Sequence, residues 1–111
     1  MNYILKDKKA IPEPDMIKWA QWVSSADRIV KKDIANIKIG GKSIGQVTVS
    51  TVFLGIDHSL GDNKEPLLFE TMVFGGPLDG EMDRCSSYEA AEKMHQLMCE
   101  KVKLAVKDLE L

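Results

Sequence analysis

The chain reads as a single α+β domain, with an antiparallel sheet of three to five strands flanked by an N-terminal and a C-terminal helix. Three observations predict this. Apolar residues recur at helical spacing near each end, β-branched residues crowd the middle, and no strand–helix–strand alternation calls for a parallel sheet. At 111 residues, one domain spanning 1–111 is the default. A chain of this size buries enough surface for one core without disulfides or metal.

From Met1 to Pro12 the chain is a short lead-in with an edge strand at Tyr3 to Leu5. Pro14 suits a first helical turn, and Asp15 suits the positive end of the helix dipole. The first helix is expected from about Pro14 to Lys32, because Met16, Trp19, Ala20, Val23, Ala26 and Val30 recur at three- and four-residue steps. Trp22 and Ile29 widen that stripe, as a broad core face or one shared with a second subunit would require. Ile37 to Ile39 is a short strand, and Gly40-Gly41-Lys42-Ser43 a turn. It is no phosphate loop: the earlier glycine is absent, and a strand follows where a helix is needed.

Gln46 to Ile56 is rich in valine and threonine and reads as a central strand covered at least in part on both faces. His58 to Pro66 is a polar loop. Leu67 to Phe74 is the next strand, and Glu81 to Cys85 pairs back across the turn Gly75–Gly80. Ser86 or Ser87 caps a last helix from about Tyr88 to Leu109, with Ser86 and Glu89 at capping-box spacing. Its apolar face is Ala91, Met94, Met98, Val102, Ala105 and Leu109.

Fifteen basic residues against 17 acidic ones give a net charge of −2, which argues against a general binder of nucleic-acid duplexes. A charged N-terminus and the lack of a long apolar run predict neither a signal peptide nor a membrane span, hence a cytoplasmic protein. Cys85 and Cys99 then read as free thiols in a reducing compartment.

Several residues could carry chemistry. Asp57 and His58 end the central strand and could act as a base pair if the chain bends there; otherwise they point apart. Glu70 shares a strand face with Leu68, Met72 and Phe74, where a carboxylate needs a partner such as Arg84 or a ligand. Arg84 could hold a phosphate or carboxylate, or pair with Glu70, Asp83 or Glu81. His95 and Cys99 lie four apart on one helix face. His58 and Cys85 are remote in sequence, so the spacing predicts no metal site and no cofactor.

The segments Val49-Ser50-Thr51-Val52-Phe53-Leu54-Gly55-Ile56-Asp57-His58, Leu68-Phe69-Glu70-Thr71-Met72-Val73-Phe74, Trp19-Ala20-Gln21-Trp22 and Arg84-Cys85-Ser86-Ser87-Tyr88-Glu89-Ala90-Ala91 resemble, over nearly the whole chain, a group of short accessory proteins of tailed phages and prophages. The chain departs from that pattern at Cys85 and Tyr88, where larger aromatics are common, and in a glycine-rich stretch, Gly40 to Gly45. The group resembles the anti-Thoeris sponges. The resemblance implies a non-enzymatic homo-oligomer, dimer or hexamer, that sequesters a cyclic ADP-ribose isomer or a cyclic oligonucleotide. Such a binder needs pyrophosphate donors, for which Arg84 and Arg28 are candidates. It needs a stacking aromatic (Phe53, Phe69, Phe74 or Trp22) and hydroxyl acceptors (Asp57 and Glu70), with His58 beside them as a further ligand-binding candidate. The rival expectations are an inhibitor that binds a host defence enzyme and a small hydrolase using His58 with Asp57 or Glu70.

Overall fold

The computed structural model describes residues 1–59 and 65–107. The elements in chain order are β1 (Tyr3–Lys6), β2 (Lys9–Pro12), α1 (Met16–Ser25), β3 (Ile29–Ile39), β4 (Lys42–Phe53), β5 (Phe69–Phe74), β6 (Met82–Cys85) and α2 (Tyr88–Lys107). Strands β3-β4-β5-β6 form one antiparallel sheet, and β1-β2 a separate hairpin. The α+β class and the two flanking helices are as the sequence predicts. No helix among the described residues is long and apolar enough to cross a membrane.

The first helix is shorter than its periodicity suggests. Asp15 caps it, its carboxylate accepting from the backbone N–H groups of Ile17 and Lys18 at 2.9 and 3.2 Å. It ends at Ala26, whose backbone is extended. The Asp27 carboxylate then accepts from the N–H of Ile29 at 3.0 Å, a local turn that competes with helix continuation. The β-branched pair Ile29 and Val30 starts β3 instead. Val30 still faces the core, but from a strand. Met16, expected inside, is 65 % exposed. Trp19 anchors the helix by donating from Nε1 to the carbonyls of Tyr3 and Gly55, each at 3.1 Å.

The β2 strand was not expected. Its turn, Asp7-Lys8, has positive φ at both residues, which fits a primed turn without the glycine that would announce one. In the β3–β4 hairpin the same role falls to Gly40 and Gly41, φ 58° and 79°. Strand β4 begins at Lys42 rather than Gln46 and ends at Phe53. The hairpin of β5 and β6 forms as expected, and Ser87, not Ser86, caps α2 by accepting from Ala90 N–H at 3.1 Å. Leu109 lies outside the described residues.

Helix α2 covers one face of the sheet. Alternation puts Val47, Val49, Thr51 and Phe53 of β4 and Phe69, Thr71 and Val73 of β5 on that face, all buried. The core splits into two apolar clusters. One holds Ile37, Val47, Val49, Val73, Met98 and Val102; the other holds Phe53, Leu68, Phe69, Ala91 and Met94. Trp22, Phe53, Phe69 and Tyr88 form a chain of ring contacts, with centroids 5.3 to 6.0 Å apart. The opposite sheet face is open. It carries Thr48, Ser50, Val52, Glu70 and Met72, half-buried, and Ile34, Phe74 and Met82, exposed. Glu70 does share a face with Met72 and Phe74, but that face is the open one.

After β5 the chain folds back tightly against β4. A Cβ at Gly75, where φ is 90°, would collide with the Gln46 carbonyl oxygen. Gly75→Ala should therefore cost at least about 2 kcal/mol, left-handed strain plus a backbone clash. Gly45→Ala, with nothing near its Cβ, should stay within about 0.5 kcal/mol of the parent. Urea unfolding of the two variants checks the contrast.

Candidate functional site

Between the two apolar clusters a row of polar side chains crosses the interior. Thr71 Oγ1 and Thr51 Oγ1 share a hydrogen bond across β5 and β4. Thr51 Oγ1 lies 2.7 Å from His95 Nδ1 on α2, and His95 Nε2 lies 2.7 Å from Asp33 Oδ2 on β3. Cys99 Sγ, one turn beyond His95, is 3.8 Å from the same carboxylate oxygen. Both threonines are 0 % exposed and His95 is 1 %, whereas the Asp33 side chain is 54 % exposed. Burial requires each of these groups to find a partner, and no buried side-chain nitrogen or oxygen among the described residues lacks one. Ionised Asp33 accepts, so Nε2 carries the ring proton. With the ring neutral, Nδ1 accepts from Thr51, and Thr51 from Thr71.

Asp33 marks the mouth of a groove of about 680 Å³ between β3 and α2. It exists because Lys31, Asp33 and Ala35, on the α2 side of β3, offer no large apolar group to draw the helix over them. Val47 and Val49 form its floor. Lys31 and Lys103 stand on its two walls, as do Asp33 and Glu92, so formal charge balances. The hydrogen bond from His95 holds the Asp33 carboxyl below its ordinary range. Burial, then the Asp33 charge, pushes the Cys99 thiol up. Cys99 and Cys85 are both free thiols.

The residues expected to hold a ligand do not converge. Arg84 Nε donates to Glu70 Oε2 at 3.0 Å across the β5–β6 register, on the sheet face away from the groove. Phe74 is on that face too. Phe53 and Phe69 are 0 % exposed and serve the core, so they are not available to stack a base; Trp22 packs on Phe53. Arg28 sits in the α1–β3 link, where its carbonyl accepts from Phe53 N–H at 2.8 Å. Asp57 and His58 do not engage each other. Asp57 accepts from Ser59 N–H and Oγ and from Leu67 N–H at 2.8, 2.8 and 2.9 Å, and these bonds, the Ser59 N–H foremost, lower its pKa. His58 donates from Nδ1 to the Ile56 carbonyl at 2.8 Å. The pair shapes a loop rather than forming an acid–base couple.

No family model, no curated protein and no solved structure matches this chain. The site therefore rests on its own geometry. Sequence reasoning put His95 and Cys99 on one helix face but missed Asp33, Thr51 and Thr71. The available signal was Thr51 in phase with Val47, Val49 and Phe53, together with a histidine flanked on its helix face by Ala91 and Met98.

The row should behave as a unit. Thr51→Val leaves both His95 Nδ1 and the Thr71 hydroxyl without their partner and should cost about 1–3 kcal/mol. Adding Thr71→Val should cost much less than it does alone, because its partner is already gone. A double-mutant cycle by urea unfolding measures this, and strict additivity would refute the coupling. Asp33 has a folded pKa below its unfolded one, so its contribution is full above the unfolded value and fades as pH falls through the folded value. Asp33→Asn keeps an acceptor for His95 without the charge. Its stability relative to the parent should be lowest near neutral pH and the gap should narrow below about pH 4, as unfolding midpoints at several pH values will show.

Proposed function

We propose that the protein captures a small anionic ligand in the groove between β3 and α2 and holds it without reaction. The observation that carries this reading is the groove itself. Its volume of about 680 Å³ lies within the range of natural ligand sites, and Lys31 and Lys103 reach it from opposite walls. Lysine binds phosphate as a flexible point charge, while Asp33 and Glu92 can accept from sugar hydroxyls or base amines. The ligand that the phage-protein resemblance implies, a cyclic ADP-ribose isomer, combines these groups. In that reading the chain is a phage anti-defence protein acting in the host cytoplasm.

Two features favour capture over catalysis. The Thr51–His95–Asp33 series resembles a nucleophilic triad, but its hydroxyl is wholly buried behind the imidazole. The Cys99 thiol, with its pKa raised, is a poor thiolate at neutral pH.

The open sheet face supports a second reading, protein contact. Ile34, Phe74 and Met82 are 56 %, 50 % and 43 % exposed there, and a second copy or a host protein could cover them. Sedimentation velocity with Phe74→Lys and the parent chain tests the first case; a homo-oligomer through this face should dissociate in the variant.

For ligand capture, calorimetric titration with cyclic ADP-ribose isomers should show one site per chain, and heating the complex should return intact ligand. The double variant Lys31→Glu/Lys103→Glu should weaken binding at least about tenfold, ~1.4 kcal/mol. Arg84→Ala, on the other face, should stay within about twofold. Absence of heat with every isomer would reject the reading, and loss of binding in Arg84→Ala alone would move the site to the open sheet face.

A further inference from the structure

At the mouth of the groove three different donor atoms meet: His95 Nε2, Asp33 Oδ2 and Cys99 Sγ, all within 4.8 Å of one another. Nitrogen, carboxylate oxygen and sulfur together are the donor set of zinc-class ions. Bonds of roughly 2.0–2.3 Å at tetrahedral angles place such donors about 3.4 Å apart for N and O and about 3.6 Å for S and O. The S···O separation is already 3.8 Å. The N···O separation is 2.7 Å because a proton lies between the two atoms. Replacing that proton with an ion asks for an opening of about 0.7 Å. Asp33 can supply it, being half exposed on an edge strand, and a turn of the partly exposed Cys99 side chain must bring Sγ, within 4.8 Å of Nε2, to about 3.6 Å from it.

The buried row supplies what a metal-bound histidine needs behind it. An imidazole that coordinates through Nε2 must donate from Nδ1 to a fixed acceptor. Thr51 Oγ1 stands 2.7 Å from Nδ1, and Thr51 can turn its own hydroxyl toward Thr71 Oγ1. Thr51 thus serves either ring tautomer by turning its hydroxyl, although in the metal-bound tautomer the buried Thr71 hydroxyl no longer donates to it. We propose that Asp33, His95 and Cys99 form a three-ligand site for Zn²⁺, with one coordination position left facing the groove. The protons balance. The ring keeps one proton, on Nδ1 instead of Nε2, Cys99 loses its thiol proton to water, and Asp33 is already ionised. Lys31 and Lys103 oppose a cation here and Glu92 favours one.

The site is tested with metal alone and no nucleotide, so its failure would not touch the ligand reading. Chelator-stripped protein is titrated with Co²⁺, and Zn²⁺ is then added in competition. One Co²⁺ per chain should bind with a thiolate-to-cobalt charge-transfer band in the near ultraviolet and about one proton released. Zn²⁺ should displace it. Cys99→Ser should lose the band, and Asp33→Ala should weaken binding at least about tenfold. Cys85→Ser should match the parent in both. Circular dichroism and urea midpoints check that each variant is folded; Asp33 is half exposed, and Cys99, which packs at the margin of one apolar cluster, is only partly buried, so folded variants are expected. No cobalt uptake by the parent chain would overturn the site. So would a band that persists in Cys99→Ser, unaltered uptake in Asp33→Ala, or loss of the band in Cys85→Ser.

Discussion

The hydrogen-bonded row from Thr71 through Thr51 and His95 to Asp33 sets the alignment of the molecule. It crosses three strands and the long helix between two apolar clusters. Apolar alternation alone does not distinguish the observed strand register from a slip by two residues, since the same face would stay inward. The polar row does. A two-residue slip of β5 along β4 would set Thr51 opposite Phe69 or Val73 and strand two hydroxyls, each at about 1–3 kcal/mol. The rotation of α2 is fixed in the same way, because His95 must meet Thr51 on one ring nitrogen and Asp33 on the other.

That alignment also explains where the groove lies. The row ends on an acceptor that is a carboxylate, and an ionised carboxylate is tolerated only where water reaches it or a partner compensates it. Asp33 therefore sits on the edge strand at a place the helix cannot cover. Stability and the candidate site draw on the same residues: the interior end of the row holds the sheet, and the exterior end opens on the groove with Cys99 and the two lysines around it. The Glu70–Arg84 pair on the far face plays no part in this. It is a partly exposed ion pair between directly opposite residues, of the sort that adds little energy but favours the β5–β6 register.

Much of this architecture was legible in the residues. The β5–β6 hairpin, the central strand and α2 follow from period-two and period-3.6 patterns, whereas the sequence leaves Glu70 and Arg84 open between each other and a ligand, and only the register across β5 and β6 pairs them. The β1–β2 hairpin was hidden because its turn uses Asp7 and Lys8 where glycine or asparagine would have signalled it. The first helix was overextended because Ala26 and Val30 fall in helical phase by coincidence, and the Asp27 turn that stops the helix is a two-residue feature. That error concealed Asp33 as a strand residue. The site was hardest to see, since its parts lie at positions 33, 51, 71, 95 and 99 and only the fold brings them together. Phe53 and Phe69 suit a ligand platform on sequence alone because an aromatic side chain looks the same in sequence whether it faces a cavity or a core.

The β3–β4 hairpin runs past the end of β5, whose last partner on β4 is Thr48. Beyond Ile37, which packs in the core, a two-stranded ribbon continues through Lys38 and Ile39 to the glycine turn and back to Gly45. An isolated ribbon of this kind is marginal in water, so its order is lent by the ladder behind it. Rungs of such a ribbon can open from the tip inward, whereas from Thr48 onward β4 is flanked by β5 as well as β3. The far end of the molecule can thus breathe while the interior keeps its shape.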